Sequence, residues 1–307
     1  MVFRRGFSAI FLLISVCTLF LCPVSAEESV HPLFLWKTAN GEADIYLAGS
    51  IHVLSLDFYP LPEPYESALA ESDLLVLESL AGDSRNAAME PLIREHGVYL
   101  DGTTLKDHVP ELIYLKSVMF AAKCGFSEAR ICLMRPWLAA LTFQLLKTAR
   151  SGYDYSAGME SIIGTRFART EKRQLESAES QLELIYTLPH EEQVRFLESV
   201  LNDQTDIPAV VEEVIDAWKL GDDERIDSMV NDGNREPGSI SERIITDRNR
   251  NMVRELLRLT DDSRDTWFVL VGAAHMTGEE GLPSLLARSG MDVYRCNSEG
   301  SYILLEP

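Results

Sequence analysis

The sequence predicts an α/β protein with a mixed central sheet, built from two βαβ units and carrying a large helical insertion. Three observations predict it. Leu74–Leu77 and Trp267–Val271 are short, continuous apolar runs, the composition of strands buried on both faces. A segment with helical spacing follows each β-like unit. Leu47-Ala48-Gly49-Ser50-Ile51-His52 and Leu270-Val271-Gly272-Ala273-Ala274-His275 share one pattern, in which a strand runs into glycine and histidine follows three residues later.

At the start of the chain, Arg4 and Arg5 precede the apolar run Phe7–Leu21, and Val24-Ser25-Ala26 is a small-residue cleavage site. Residues 1–26 therefore read as a secretory signal peptide, with an uncleaved anchor as the alternative. Export leaves residues 27–307 as one expected domain, periplasmic or secreted. Leu33–Lys37 and Ala43–Ser50 form a hairpin around Asn40-Gly41, a pair suited to positive φ. Pro62–Ser72 reads as a helix, with prolines near its start and Tyr65, Ala68 and Leu69 on one face. Leu74–Leu77 then closes the first parallel unit.

The helical insertion runs from about 106 to 238. Its helices are expected at Glu111–Lys123, Pro136–Ala149, Met159–Arg169, Ser180–Thr187, Glu191–Leu201 and Ala209–Lys219. Arg173–Glu176 reads as a further strand, placing Leu175-Glu176 as Leu77-Glu78 are placed. Ser239 and Glu242 form a capping box for a helix over Ser241–Leu259. The second unit is Trp267–Val271, a helix over Glu280–Arg288 ended by Gly290, and Asp292–Cys296, with Ser301–Leu305 as an antiparallel edge.

The hydrophobic fraction of 46% and the four tryptophans argue for a packed globule. A net charge of -20 opposes nucleic acid and anionic lipid as partners. No membrane span is expected after signal cleavage, because Arg135, Pro136 and Gln144 interrupt the apolar run Ile131–Leu146. Cys124, Cys132 and Cys296 remain outside the signal, too loosely spaced for a zinc cluster, and export permits a Cys124–Cys132 disulfide.

Parallel strands present their C-terminal ends to a ligand crevice, and His52, Glu78 and His275 lie at such ends. Two imidazoles and a carboxylate can hold a divalent metal with positions left open, or perform metal-free acid–base chemistry. The plainer readings are hydrogen-bonded loop histidines and a Glu78 that caps a segment or pairs with arginine. In the helix over Ser241–Leu259, Ile245, Met252 and Leu256 form the apolar stripe, with Asn249 inside it and Arg248 at its edge. Buried polar groups need partners. Arg248 therefore either docks the helix through a salt bridge, or orients Glu78 or stabilises a developing oxyanion.

Together, Gly49-Ser50-Ile51-His52, Leu77-Glu78, Arg248-Asn249-Arg250-Asn251-Met252 and Val271-Gly272-Ala273-Ala274-His275 resemble the signature elements of the TraB/PrgY/GumN family. Leu35-Trp36-Lys37, Pro136-Trp137, Gly158-Met159-Glu160 and Leu175-Glu176 followed by Gln181 extend the likeness from about Pro32 to Val293. Ala81–Thr104 matches no family pattern. The family is related to the Tiki metalloproteases. The resemblance implies a metal-dependent, peptidase-like hydrolase using Mn, Co or Zn and acting on a peptide or protein. It implies His52, Glu78 and His275 as metal ligands, with Glu78, Arg248 and Asn249 as catalytic residues. Glu160 and Glu176 are possible additional site residues. The alternative is a non-catalytic ligand- or haem-binding protein on the same fold.

Overall fold

The structure, a computed structural model, describes residues 30–80, 89–151, 155–167, 171–231 and 243–305. The signal read in residues 1–26 and the capping pair Ser239 and Glu242 lie outside them. The protein is α/β. Its strands are β1 (Pro32–Asn40), β2 (Ala43–Ser50), β3 (Leu74–Leu77), β4 (Lys172–Gln174), β5 (Thr266–Gly272), β6 (Tyr294–Asn297) and β7 (Tyr302–Leu304). They form one seven-stranded mixed sheet in the order β4-β3-β5-β2-β1-β6-β7.

β1 and β2 form the expected hairpin, in which Asn40 faces Ala43 and Gly41 takes a φ of 62°. The helix α1 (Glu63–Glu71) leads to β3, which is parallel to β2 in direction but not its neighbour. β5 inserts between them and pairs parallel with both. The two strand–helix–strand units therefore interlock, because the second unit's first strand completes the first. β6 pairs antiparallel with β1, so β2 and β1 separate it from β5.

The central position of β5 follows from its composition. Trp267, Phe268, Val269, Leu270 and Val271 are buried, and burying each such side chain contributes roughly 1.5–3 kcal/mol. Only strands covered on both faces tolerate such a run.

Between β3 and β5 the chain is mostly helical. The longer helices are α2 (Glu111–Lys123), α3 (Pro136–Arg150), α4 (Met159–Arg166), α5 (Ala178–Tyr186), α6 (His190–Asn202), α7 (Ile207–Lys219) and α8 (Asp223–Asn231). Leu105, Ile113, Phe143, Leu197 and Val200 belong to an apolar cluster separate from the sheet's own core. Helical periodicity located most of these elements within a few residues. It did not locate α8, nor the one-turn helices Leu105–His108 and Glu128–Cys132. Such short helices display too little of a repeat, and Thr104 with Asp107 holds the first of them by a reciprocal cap.

After the helical region come α9 (Arg248–Thr260) and α10 (Leu282–Arg288). A π-helical turn, Arg243–Asp247, runs into α9, so the regular α-helix starts later than the apolar stripe suggested. Likewise, α10 starts after Gly281 and not at Glu280. Cys124 and Cys132 carry free thiols, so the permitted disulfide is not formed; Cys132 Sγ instead lies 3.1 Å from the Tyr114 hydroxyl. Among the described residues no helix is long and apolar enough to cross a membrane.

Val269→Thr puts a hydroxyl at a fully buried position of β5 with little change of shape. Urea unfolding should show a loss of about 1–3 kcal/mol. A change below about 0.5 kcal/mol, the size of a surface substitution, would contradict the two-sided burial of this strand.

Candidate active site

Four parallel strands end side by side, in the order β4-β3-β5-β2. Each delivers one ionisable side chain within three residues of its end. β2 leads to His52, β5 to His275, β3 to Glu78 and β4 to Glu176. His275 sits in the 3-10 turn Ala273–Met276, which places its ring back over the sheet end.

The two Gly-x-x-His turns lie on neighbouring strands, with Gly49 beside Val271 and Ser50 beside Gly272. A Cβ on Gly49 would stand 3.1 Å from Phe34 Cβ and 3.3 Å from Ala273 Cα. A Cβ on Gly272 would stand 3.0 Å from His52 Nε2 and 3.4 Å from Glu78 Oε2. Each motif's glycine therefore makes room for the other motif. Gly158 is confined in the same way, because a Cβ there would lie 2.2 Å from the His52 carbonyl oxygen.

Arg248 is the first residue of α9 and is 9% exposed. Its Nε donates to Glu176 Oε2 at 2.8 Å, and its Nη2 pairs with Glu78 Oε1 and, at 2.8 Å, with Glu176 Oε2. Gln181 on α5 bridges the same carboxylates, donating to Glu78 Oε1 at 3.2 Å and Glu176 Oε2 at 3.4 Å. The backbone N–H of Gly272 donates to Glu78 Oε2 at 3.1 Å. Both Glu78 oxygens are thus oriented. Burial alone would push the Glu78 carboxyl up, but His275, Arg248 and His52 and the Gly272 N–H bring it down to about 2.

The two histidines are held differently. Asn249 Nδ2 donates to the carbonyls of Glu280 at 2.6 Å and His275 at 3.4 Å, which fixes the orientation of its amide. Its Oδ1 then faces His275 Nδ1 at 2.5 Å and can only accept. His275 Nδ1 therefore carries the proton, and Nε2 presents its lone pair 3.9 Å from Glu78 Oε2. Burial lowers His275 to about 4, against the pull of Glu78.

His52 is 53% exposed, and its Nδ1 pairs with Glu160 Oε1 at 2.8 Å. Desolvation would lower its pKa, but the hydrogen bond and charge of Glu160, joined by Glu78, raise it to about 9. Glu160 lies in the first turn of α4, which docks on the turn through Met159 N–H to the Ile51 carbonyl at 3.1 Å. The hydroxyl of Ser50 donates to the same Glu160 oxygen. Burial would raise the Glu160 carboxyl, but His52 and Ser50 hold it below its ordinary value.

Glu78, Arg248, Glu176, His275 and Asn249 are linked by hydrogen bonds and ion pairs, and the His52–Glu160 pair stands beside them across Gly272; Glu160 is expected from the family likeness and the others from the strand-end and buried-stripe patterns. Ser50 and Gln181 stand within the motifs that carry the family likeness, but no role at the site is read for either. A second carboxylate beside Glu78 signals that a shared donor is needed, yet the sequence does not say which side chain supplies it. The two readings of Arg248 merge, because its salt bridges dock α9 and orient Glu78 at once.

Fold and site define a class: an α/β protein whose parallel strand ends gather two histidines and two glutamates, with a buried arginine between the glutamates. The TraB/PrgY/gumN family matches residues 34–295, and the chain belongs to that family. It is similar to the uncharacterized protein YbaP of Escherichia coli (strain K12), 22% identical over 254 residues that cover 81% of this chain and 90% of YbaP. YbaP of Shigella flexneri is similar to the same extent, 22% over 254 residues. No solved structure matches the chain.

Because His52 binds its proton more tightly folded than unfolded, it stabilises the fold fully below its ordinary 6.5, and that contribution is lost as pH climbs through about 9. In chelator-treated protein, the His52 ring should titrate near 9 by NMR. In Glu160→Gln it should titrate well below that value, and the fall in melting temperature between pH 7 and 9 should shrink. An unchanged His52 titration would remove Glu160 as the cause.

Proposed function

We propose that the protein is an exported, metal-dependent hydrolase acting on peptide bonds. One observation carries the reading. His52 Nδ1 is held by Glu160 and His275 Nδ1 by Asn249, which leaves both Nε2 atoms on the side of Glu78 Oε2. Ligating histidines are commonly held in this way, the far nitrogen bonded to a carboxylate or amide that fixes ring and tautomer. Among the described residues no three His, Cys, Asp or Glu side chains form a ready-made metal cluster. The chemistry of the donors nevertheless fits a divalent ion, with His52, His275 and Glu78 as its holders. Imidazole and carboxylate donors suit Mn, Co or Zn. Such an ion supplies a water of lowered pKa and polarises a carbonyl.

The chain's own residues contribute the rest. Arg248 and Gln181 hold Glu78 Oε1, so only Oε2 is aimed toward the histidines. Glu78, ionised down to about pH 2, serves as ligand or as acceptor of a proton from attacking water. His275 is neutral at working pH, whereas His52 is protonated. Loading at neutral pH therefore releases about one proton, from His52. Asn249 keeps His275 turned toward Glu78.

The reading is tested by elemental mass spectrometry on mature protein prepared without chelator and refilled with Mn, Co or Zn. Wild type should hold close to one ion, and His52→Ala and His275→Ala should lose it. Turnover of a peptide library should fall about a hundredfold or more in Glu78→Gln. If refilled wild type holds no metal, the metallohydrolase reading fails. A haem-induced spectral shift without turnover would instead favour the non-catalytic binding alternative.

A further inference from the structure

The helical pair α7 and α8 touches both Gly-x-x-His turns. Trp218, near the end of α7, is 3% exposed, and its indole N–H donates to the Gly49 carbonyl at 2.8 Å. Its ring stacks on Tyr65, with centroids 5.4 Å apart and 29° between planes. The pairing of β1 with β2 reaches Ala48, so the indole takes up the chain where that ladder stops. On α8, Asp227 Oδ1 accepts from the buried Thr277 hydroxyl at 3.3 Å. The same hydroxyl lies 3.2 Å from the Ala274 carbonyl. One bond falls three residues before His52, the other two residues after His275.

The turn between α7 and α8 is itself fixed to the sheet. Arg295 on β6 donates to the Gly221 carbonyl at 2.7 Å, to Asp223 Oδ1 at 3.0 Å and to the Leu33 carbonyl at 3.0 Å. Gly221 has a φ of 63°, and a Cβ there would stand 2.0 Å from the Pro32 carbonyl oxygen. Only glycine permits that approach. The pair is thus anchored independently of the two turns it contacts.

We propose that α7 and α8 form a positioning clamp for the site, in which Trp218 sets the His52 turn and the Asp227–Thr277 bond sets the His275 turn. The inference rests on reading His52 and His275 as one site. A tryptophan that served only packing would need no partner on the motif, because its N–H can be satisfied by any nearby acceptor. Here Trp218 holds the backbone of the His52 turn and Asp227 holds the side chain of Thr277, just past His275.

The test uses the full mature chain, metal-free and labelled with nitrogen-15 histidine, with ring signals assigned through His52→Gln and His275→Gln. Trp218→Phe keeps an aromatic ring on Tyr65 and removes the N–H. Thr277→Val removes the hydroxyl with its shape retained. Trp137→Phe is the matched control, since its indole N–H donates to the His96 carbonyl at 2.9 Å away from the site. Trp218→Phe should shift the His52 ring nitrogens, Thr277→Val those of His275, and Trp137→Phe neither. After refilling, metal affinity should fall about tenfold in Trp218→Phe, the lower end of losses for groups that support ligating side chains. If Trp218→Phe and Trp137→Phe lower stability alike and leave both rings unshifted, the clamp is overturned. If wild type binds no metal, the hydrolase reading fails, and the ring signals still decide the positioning.

Discussion

A guanidinium buried between two carboxylates fixes the end of this sheet. Arg248 can be buried only because Glu78 and Glu176 face it, and they can lie side by side only because it stands between them. Removing Arg248 leaves two buried carboxylates facing each other without a cation, and removing either carboxylate leaves Arg248 with a single partner. The triad also has long reach in the chain, joining the ends of β3 and β4 to the start of α9. Arg248 draws its stability from the two carboxylates it faces. The site as a whole carries three carboxylates against one guanidinium and one imidazolium, a surplus of negative charge that favours a cation.

Close approach of backbone is the second constraint. The two Gly-x-x-His turns pack against each other, and a side chain on either glycine would occupy space used by the other motif. The motif spacing follows from this. Glycine ends the strand where chains must nearly touch, and three residues later the chain has turned enough to return an imidazole over the strand end.

The local features of this fold were legible in the sequence, and the long-range ones were not. The β1–β2 hairpin announces itself through Asn40-Gly41, and β5 through its unbroken apolar run. That β5 inserts between β2 and β3 is invisible locally, because parallel pairing between Asp44–Ser50 and Thr266–Gly272 joins segments more than two hundred residues apart. At the site, the strand-end rule placed His52, Glu78 and His275 together. Arg248 and Asn249 were conspicuous as polar residues on a buried stripe, but a stripe shows only that partners are needed. Gln181 and Ser50 stand within family motifs whose spacing does not say what they bond, and the π-helical turn before α9 has no pattern of its own.

The difference between the histidines comes from what each Nδ1 meets. Burial disfavours a second proton on His275 more than Glu78 favours it, and Asn249 offers only an uncharged oxygen, so His275 stays neutral. Glu160 offers a full negative charge at the crevice mouth, so His52 gains a proton and keeps it. Exchanging an amide for a carboxylate on the far side of the ring thus sets opposite protonation states for two residues of the same motif. Because Ser50 and His52 both donate to Glu160 Oε1, the state of His52 depends on α4 being docked. Any ligand that takes the His52 lone pair must first displace a proton, while the His275 lone pair is already free. The crevice is therefore asymmetric before anything binds: His275 and Glu78 offer a standing electron-rich face, and His52 joins it only when its proton leaves.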